Sequence, residues 1–220
     1  MISAENWWAS LEAYSLSIFP MQIVMYVLAA VLTILFFARP GTTTNRIIKA
    51  YLAFACAWIG VVFFLILGQD LPAHNAQAFL FLSIAVLFAA DLFMGKIEFR
   101  VPETKWHLRT TIFWFVMAFL YPVVGMLVGH AYPRMIILGT FPCPTVAFAL
   151  VLMTTALPKV ARPVYFLLLL WAIPFPIFFQ IPQFGVYEDS IMLVIGIYSL
   201  VMLVKNWTMI GKGEMSEVRG

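Results

Sequence analysis

Cys143 is the residue in this sequence best placed to do chemistry. It lies in Gly139-Thr140-Phe141-Pro142-Cys143-Pro144-Thr145, between two prolines. Pro144 biases Cys143 toward extended backbone, and proline is favoured as the first residue of a helix. A helix is therefore expected to begin at Pro144, with Thr140 and Cys143 at its mouth and Thr145 in its first turn. Free N–H groups at a helix start attract anions and favour a thiolate, whereas an apolar site opposes it. Read this way, Cys143 is a soft-metal ligand, a reactive thiol or part of a substrate site. The plainer reading is a small buried hydrophobe beside a kink.

A second group surrounds it in sequence. Gly129-His130-Ala131-Tyr132-Pro133-Arg134 combines an imidazole, a phenol and a cation. Asp70, His74, Glu188 and Asp189 flank other apolar runs on the same side. Arg134 is expected to pair with one of these carboxylates or to bind an anion. Only the residues from Arg134 to Pro142 separate the two groups, so the chain must turn back at once. His130 and Tyr132 are thereby brought toward Thr140 and Cys143. Asp91 is the one carboxylate well inside an apolar run. Intramembrane acids are functional candidates, but its closeness to Lys96 favours an interfacial ion pair. Cys56 has no polar company and reads as packing. Haem held by two histidines, a zinc hydrolase site and a retinal Schiff base all lack their residues, so the cofactor is left open.

The elements that must position these residues are membrane helices. The chain is 64% hydrophobic and 10% charged, against about 25% charged in soluble domains. A chain of this size has too little interior to bury that much apolar surface, so the lipid bilayer is its first partner. Seven charge-free runs follow: Ala13–Ala38, Ala50–Gln69, Leu71–Ala90, Thr110–Pro133, Met135–Pro158, Pro163–Tyr187 and Ser190–Val204. The first six reach the ~20 residues a span needs. The seventh reaches it if Lys205 snorkels. An all-α integral membrane bundle of about seven helices is expected, a single domain over 1–210 with a polar cytoplasmic tail at 211–220. No cleavable signal peptide is expected from the N-terminal residues.

Basic residues set the orientation. Arg39, Arg46, Lys49, Lys96, Arg100, Lys105, Arg109, Lys159, Arg162, Lys205, Lys212 and Arg219 fall on one side, and Arg134 alone on the other. The N-terminus is then outside and the C-terminus cytoplasmic. Because the basic residues sit in short loops, not in a patch or stripe, a nucleic-acid partner is excluded. Pro20, Pro122, Pro142, Pro144, Pro174 and Pro176 concentrate from mid-depth outward. Such breaks are tolerated where they are buried or line a cavity, which points to a cup opening outward. Phe19-Pro20 with Ala38-Arg39-Pro40 is echoed by Phe141-Pro142 with Ala161-Arg162-Pro163. That echo would make the bundle a 3+1+3 parallel repeat of the kind some transporters use.

Gly129-His130-Ala131-Tyr132-Pro133, Pro142-Cys143-Pro144-Thr145, Trp58-Ile59-Gly60-Val61-Val62 and Tyr121-Pro122 together resemble the signature of a bacterial membrane-protein family known only as a domain of unknown function. The resemblance covers nearly the whole chain and implies a multi-pass protein of the bacterial inner membrane. It departs at Leu138-Gly139-Thr140-Phe141, and it implies no activity.

Three functions fit these readings. The first is a small-solute or soft-metal transporter or channel with an outward site between the fourth and fifth helices, on His130, Tyr132, Arg134, Thr140, Cys143 and Thr145. The second is an accessory or sensor subunit, with a membrane-complex partner or a second copy. The third is a membrane enzyme using Cys143 and His130. The charge asymmetry makes a prediction of its own. A reporter fused after Gly220 is expected to be active only in the cytoplasm, and one inserted in Gln69–Asn75 only outside. The reverse result at either site overturns the orientation.

Overall fold

Prolines decide where the apolar runs become helices and where they stop. The computed structural model describes residues 2–217, with side chains as far as residue 210. Its secondary structure is helical, and no strand occurs among those residues.

The first run divides. Helix α1 (Ala4–Ser17) is capped by the Ser3 side chain, which accepts the Asn6 N–H. It stops ahead of Pro20, and α2 (Met21–Ala38) follows. Pro20 lacks the N–H a continuing helix needs. The span expected over Ala13–Ala38 is therefore shortened to α2, and α1 becomes a separate helix carrying Glu5 and Glu12. Helix α3 (Thr42–Trp58) runs on as a wider π-helical stretch, Ile59–Leu67, and α4 (His74–Met94) packs along it.

The fourth run bends by 54° between α5 (Lys105–Phe119) and α6 (Tyr121–Leu127). Pro122 is the cause: it has no N–H, and its ring clashes with the carbonyl four residues back, that of Ala118. The Phe119 carbonyl at the bend accepts the Tyr26 hydroxyl at 2.8 Å, so it is satisfied within the protein. Helix α7 (Pro142–Ala156) has 15 residues, all buried. A helix that is apolar all round belongs at the centre, and α5, α8 and α10 pack on it. Its threonines return their hydroxyls to its own backbone: Thr145 to Phe141, Thr154 to Val151 and Thr155 to Leu152.

Helix α8 (Arg162–Ala172) yields to a π-helical turn at Pro176–Gln180 and the short α9 (Ile181–Phe184). The last helix, α10 (Asp189–Glu217), runs past Lys205 and is the longest. The expected polar tail falls on its end: residues 218–220, and side chains from 211 on, lie outside the described residues.

Among the described residues, five helices are long and apolar enough to cross a membrane: α2, α3 with its extension, α4, α8 through α9, and α10 as far as Ile210. The bent α5–α6 pair makes a sixth. Phe79, Phe93 and Leu127 point outward at 75%, 92% and 81% exposure, as side chains facing lipid do. Helix α7, at ~22 Å, falls short of the ~30 Å hydrocarbon core. The two halves of the sequence echo lead to unlike places: α2 leaves Ile23, Val27 and Ile34 exposed, whereas α7 is wholly enclosed.

At the basic end, Asp91 organises the chain that follows α4. Its carboxylate pairs with Lys49 at 2.7 Å, with both side chains buried. It also accepts the backbone N–H groups of Lys96 and Ile97. The ion-pair partner is Lys49, not Lys96 as its position in sequence implied; Lys96 contributes only its backbone. Asn45 then exchanges two hydrogen bonds with the Phe99 backbone, and Arg100 N–H donates to the Thr155 carbonyl at the end of α7. Glu98 joins Arg100 and Lys159 at the surface. Arg100 and then Lys159 hold its carboxyl down at about 2.

Removing one partner of a buried ion pair costs ~3–5 kcal/mol, whereas an exposed pair contributes ~0–1 kcal/mol. Asp91→Ala is therefore expected to lower unfolding stability in detergent several-fold more than Glu98→Gln. Equal effects would show that Asp91 is not the anchor of this end.

Candidate functional site

The chain between α6 and α7 descends toward the start of a buried helix, and its polar groups are satisfied one by one. Gly139 adopts φ +94°, and a Cβ there would lie 2.7 Å from the Met25 Cβ and the Tyr51 hydroxyl, so only glycine fits. Its N–H donates to Thr145 Oγ1 at 2.9 Å, and that hydroxyl donates to the Phe141 carbonyl at 2.6 Å. The Thr140 carbonyl accepts the Tyr14 hydroxyl at 2.8 Å, which in turn accepts Trp58 Nε1–H at 3.0 Å. Thr140 and Thr145 are thus clamps of the descending segment.

Helix α7 begins at Pro142, two residues earlier than expected. Proline suits the first helical position, and in the first turn of a helix the N–H that Pro144 lacks has no intrahelical partner to lose. Cys143 therefore lies inside the first turn. Two of the first three positions have no N–H, so the anion-attracting mouth expected here is depleted of donors.

Above this start is a cavity of about 520 Å³. Phe63, Phe64, Phe141, Trp171, Phe175 and Phe179 supply much of its wall. Trp171 is stacked on Phe175 at 4.0 Å. Helix α1 covers one side with Trp7 and Leu11. Trp7 stacks on Phe184 at 4.7 Å, and Trp8 Nε1–H donates to the Phe184 carbonyl at 2.9 Å. A polar corner interrupts the apolar wall. Gln180 Nε2–H donates to Cys143 Sγ at 3.1 Å, and the thiol lies against the Asp189 carboxyl group. The Tyr121 hydroxyl donates to Asp189 Oδ1 from behind. Asp189 opens α10, where the positive end of the helix dipole favours a negative group. Cys143, Trp171, Gln180 and Asp189 are all at least nine-tenths buried. Trp171 Nε1, Gln180 Oε1 and Asp189 Oδ2 have no well-directed hydrogen-bond partner.

The structure separates residues that were expected to converge. His130 faces Glu188 at 3.0 Å and Trp8 at 4.0 Å between ring centroids, not Cys143. Burial pushes the Glu188 carboxyl up from the ordinary range, against the pull of His130. Gly125 makes room for that carboxyl: a Cβ there would lie 3.2 Å from Glu188 Oε1. Arg134 pairs with Glu5 at 2.7 Å and Glu12 at 3.3 Å, and so ties down α1. None of Asp70, Glu188 and Asp189 is its ion-pair partner. Tyr132 is exposed. His74 turns back to the Leu71 carbonyl, while Asp70 lines the cavity. Asp91 belongs to the opposite end. Among the described residues no three of His, Cys, Asp and Glu come together as a metal site would require.

Sequence reasoning missed Gln180, Trp171 and Tyr121. One signal was available for Gln180: it is a polar side chain in an apolar run, between Pro176 and Pro182.

Helix α1 is held by exposed ion pairs and by two buried hydrogen bonds, those of Trp8 and Tyr14, and the two kinds differ in strength. An exposed pair is screened by solvent and contributes little, whereas a buried carbonyl left unpaired costs ~1–3 kcal/mol. Tyr14→Phe is therefore expected to speed amide hydrogen exchange in α1 more than Arg134→Ala. The opposite order would make Arg134 the main tether.

No curated protein and no solved structure matches this chain. A family described as of unknown function, DUF6064, matches it over residues 4–212. That match runs from the first turn of α1 into the last turns of α10, so α1, the descending segment and the cavity all fall inside it: the chain belongs to the DUF6064 family.

Proposed function

We propose that the protein is a multi-pass protein of a bacterial inner membrane that binds a small, largely apolar solute in the cavity beside Cys143. The observation that carries this reading is an aromatic cavity ending on a buried polar corner, Cys143, Gln180 and Asp189, with unpaired hydrogen-bonding atoms. Ligand sites are commonly apolar pockets with a few convergent polar groups. A solid bundle serving only as a subunit has no need of such a space. A hydrolytic or metal enzyme reading gains no support from it, because His130 and Cys143 stand in different surroundings.

In this reading α7 and the descending residues 134–141 cross the membrane together, which makes seven crossings with the N-terminus outside. The cavity then opens to the extracytoplasmic side. Helix α7, buried along its whole length, closes the way to the cytoplasm. The conformation is that of an outward-facing transporter, and Arg134, Glu5 and Glu12 hold its lid.

Leu11 lines the cavity from α1. In nanodiscs, radiolabelled phenylbutanol is expected to bind wild-type protein saturably in equilibrium dialysis, above the uptake of empty nanodiscs. Leu11→Trp fills the space and is expected to weaken that binding at least tenfold. Undiminished binding to a folded Leu11→Trp protein would place the solute elsewhere.

A further inference from the structure

The cavity's charge pattern identifies a class of ligand, given the solute-binding reading above. Its lining includes two acids, Asp70 and Asp189, and no lysine, arginine or histidine. Asp70 lies in the exposed turn before α4, and Asp189 at the buried corner. Asp189 Oδ1 is taken by Tyr121 and the Cys143 thiol lies against the carboxyl group, but Oδ2 has no well-directed donor. Gln180 spends its amide N–H on Cys143 and leaves Oε1 unpaired. The corner therefore holds two buried acceptors in want of donors, one of them on a carboxylate, against a single donor without a well-directed partner, Trp171 Nε1–H. A buried acceptor without a donor is costly, and a buried carboxylate without a counter-charge more so.

The wall supplies the rest of the recognition. Trp7, Phe63, Trp171, Phe175, Phe179 and Phe184 line the same space. Aromatic faces attract cations, tryptophan most strongly. An anion would meet two carboxylates and a helix start whose first and third residues are prolines.

We propose that the cavity takes a protonated amine carried on an apolar body. The ammonium N–H groups donate to Asp189 Oδ2 and Gln180 Oε1, and the apolar part fills the aromatic space beneath α1. Binding neutralises the buried carboxylate, so ligand and Asp189 each supply the charge the other lacks. Cys143 positions the Gln180 amide by accepting its N–H and takes no part in covalent chemistry.

Three ligands of one shape separate the possibilities: phenylbutylamine, phenylbutanol and phenylbutyrate, which are cationic, neutral and anionic at neutral pH. Equilibrium dialysis with wild-type protein in phosphatidylcholine nanodiscs is expected to give the amine at least about tenfold tighter binding than the alcohol, the gain of one charge-assisted hydrogen bond. The carboxylate is expected to bind most weakly. Asp189→Asn is expected to bring the amine-to-alcohol ratio close to one, and Gln180→Met to lower it by less. Equal saturable binding of all three ligands overturns the cation inference and leaves the solute-binding reading standing. Absence of saturable binding for all three removes both. If Asp189→Asn does not fold, the wild-type ligand series still decides the matter.

Discussion

The structure turns on a helix that is too short for its place. Helix α7 is enclosed on every side, yet its 15 residues reach only part of the way across an apolar core. The chain must make up the difference in non-helical backbone, and no water is at hand to satisfy it. Backbone of this kind persists at membrane depth only when buried in protein or lining a cavity. At one end Tyr14, Thr145 and the left-handed Gly139 meet that demand. At the other, Asp91 and Asn45 meet it by holding residues 96–99 against the bundle.

The cavity follows from the same shortfall. The cavity is bordered by Phe141, Pro142 and Cys143 at the start of α7, together with Trp171 and Gln180. Because α7 starts at depth, the space above it is left to aromatic side chains and to α1, which lies apart from α2 once Pro20 ends the first run. Three tethers hold α1 down: Phe184 from α9, and Thr140 and Arg134 from the descending segment. The clamps Gly139, Thr140 and Thr145, and the cavity-lining Phe141, Pro142 and Cys143, therefore lie on one piece of chain, residues 134–145.

Charge arranges the remainder. The two fully buried acids beside this segment have different solutions. Glu188 has His130 in front of it and Gly125 making room for it, and its own demand is met. Asp189 has a phenol behind one oxygen and the Cys143 thiol against the carboxyl group, but no well-directed donor to the other oxygen. That difference between neighbours in sequence marks Asp189 as the residue with capacity to spare for a ligand, whereas Glu188 belongs to the fabric of the bundle end.

The sequence by itself determined the apolar, helical character, the approximate place of each apolar run, and three of the breaks, because hydropathy and proline act locally. Pro122 bends the fourth run, Pro20 divides the first and Pro174 with Pro176 interrupts the sixth, each through a missing N–H and a displaced carbonyl. The importance of the Pro142-Cys143-Pro144 segment was legible for the same reason. Partnership was not. Arg134 and Glu5 are separated by 129 positions, Cys143 and Gln180 by 37, and Lys49 and Asp91 by 42. Proximity in sequence had suggested His130 for Cys143 and Lys96 for Asp91. Which helix faces which depends on how the faces of the bundle interlock, and no local rule encodes that. Only the tertiary structure could place Trp171, Gln180 and Asp189 around one thiol and leave an unpaired oxygen at the end of an apolar cavity.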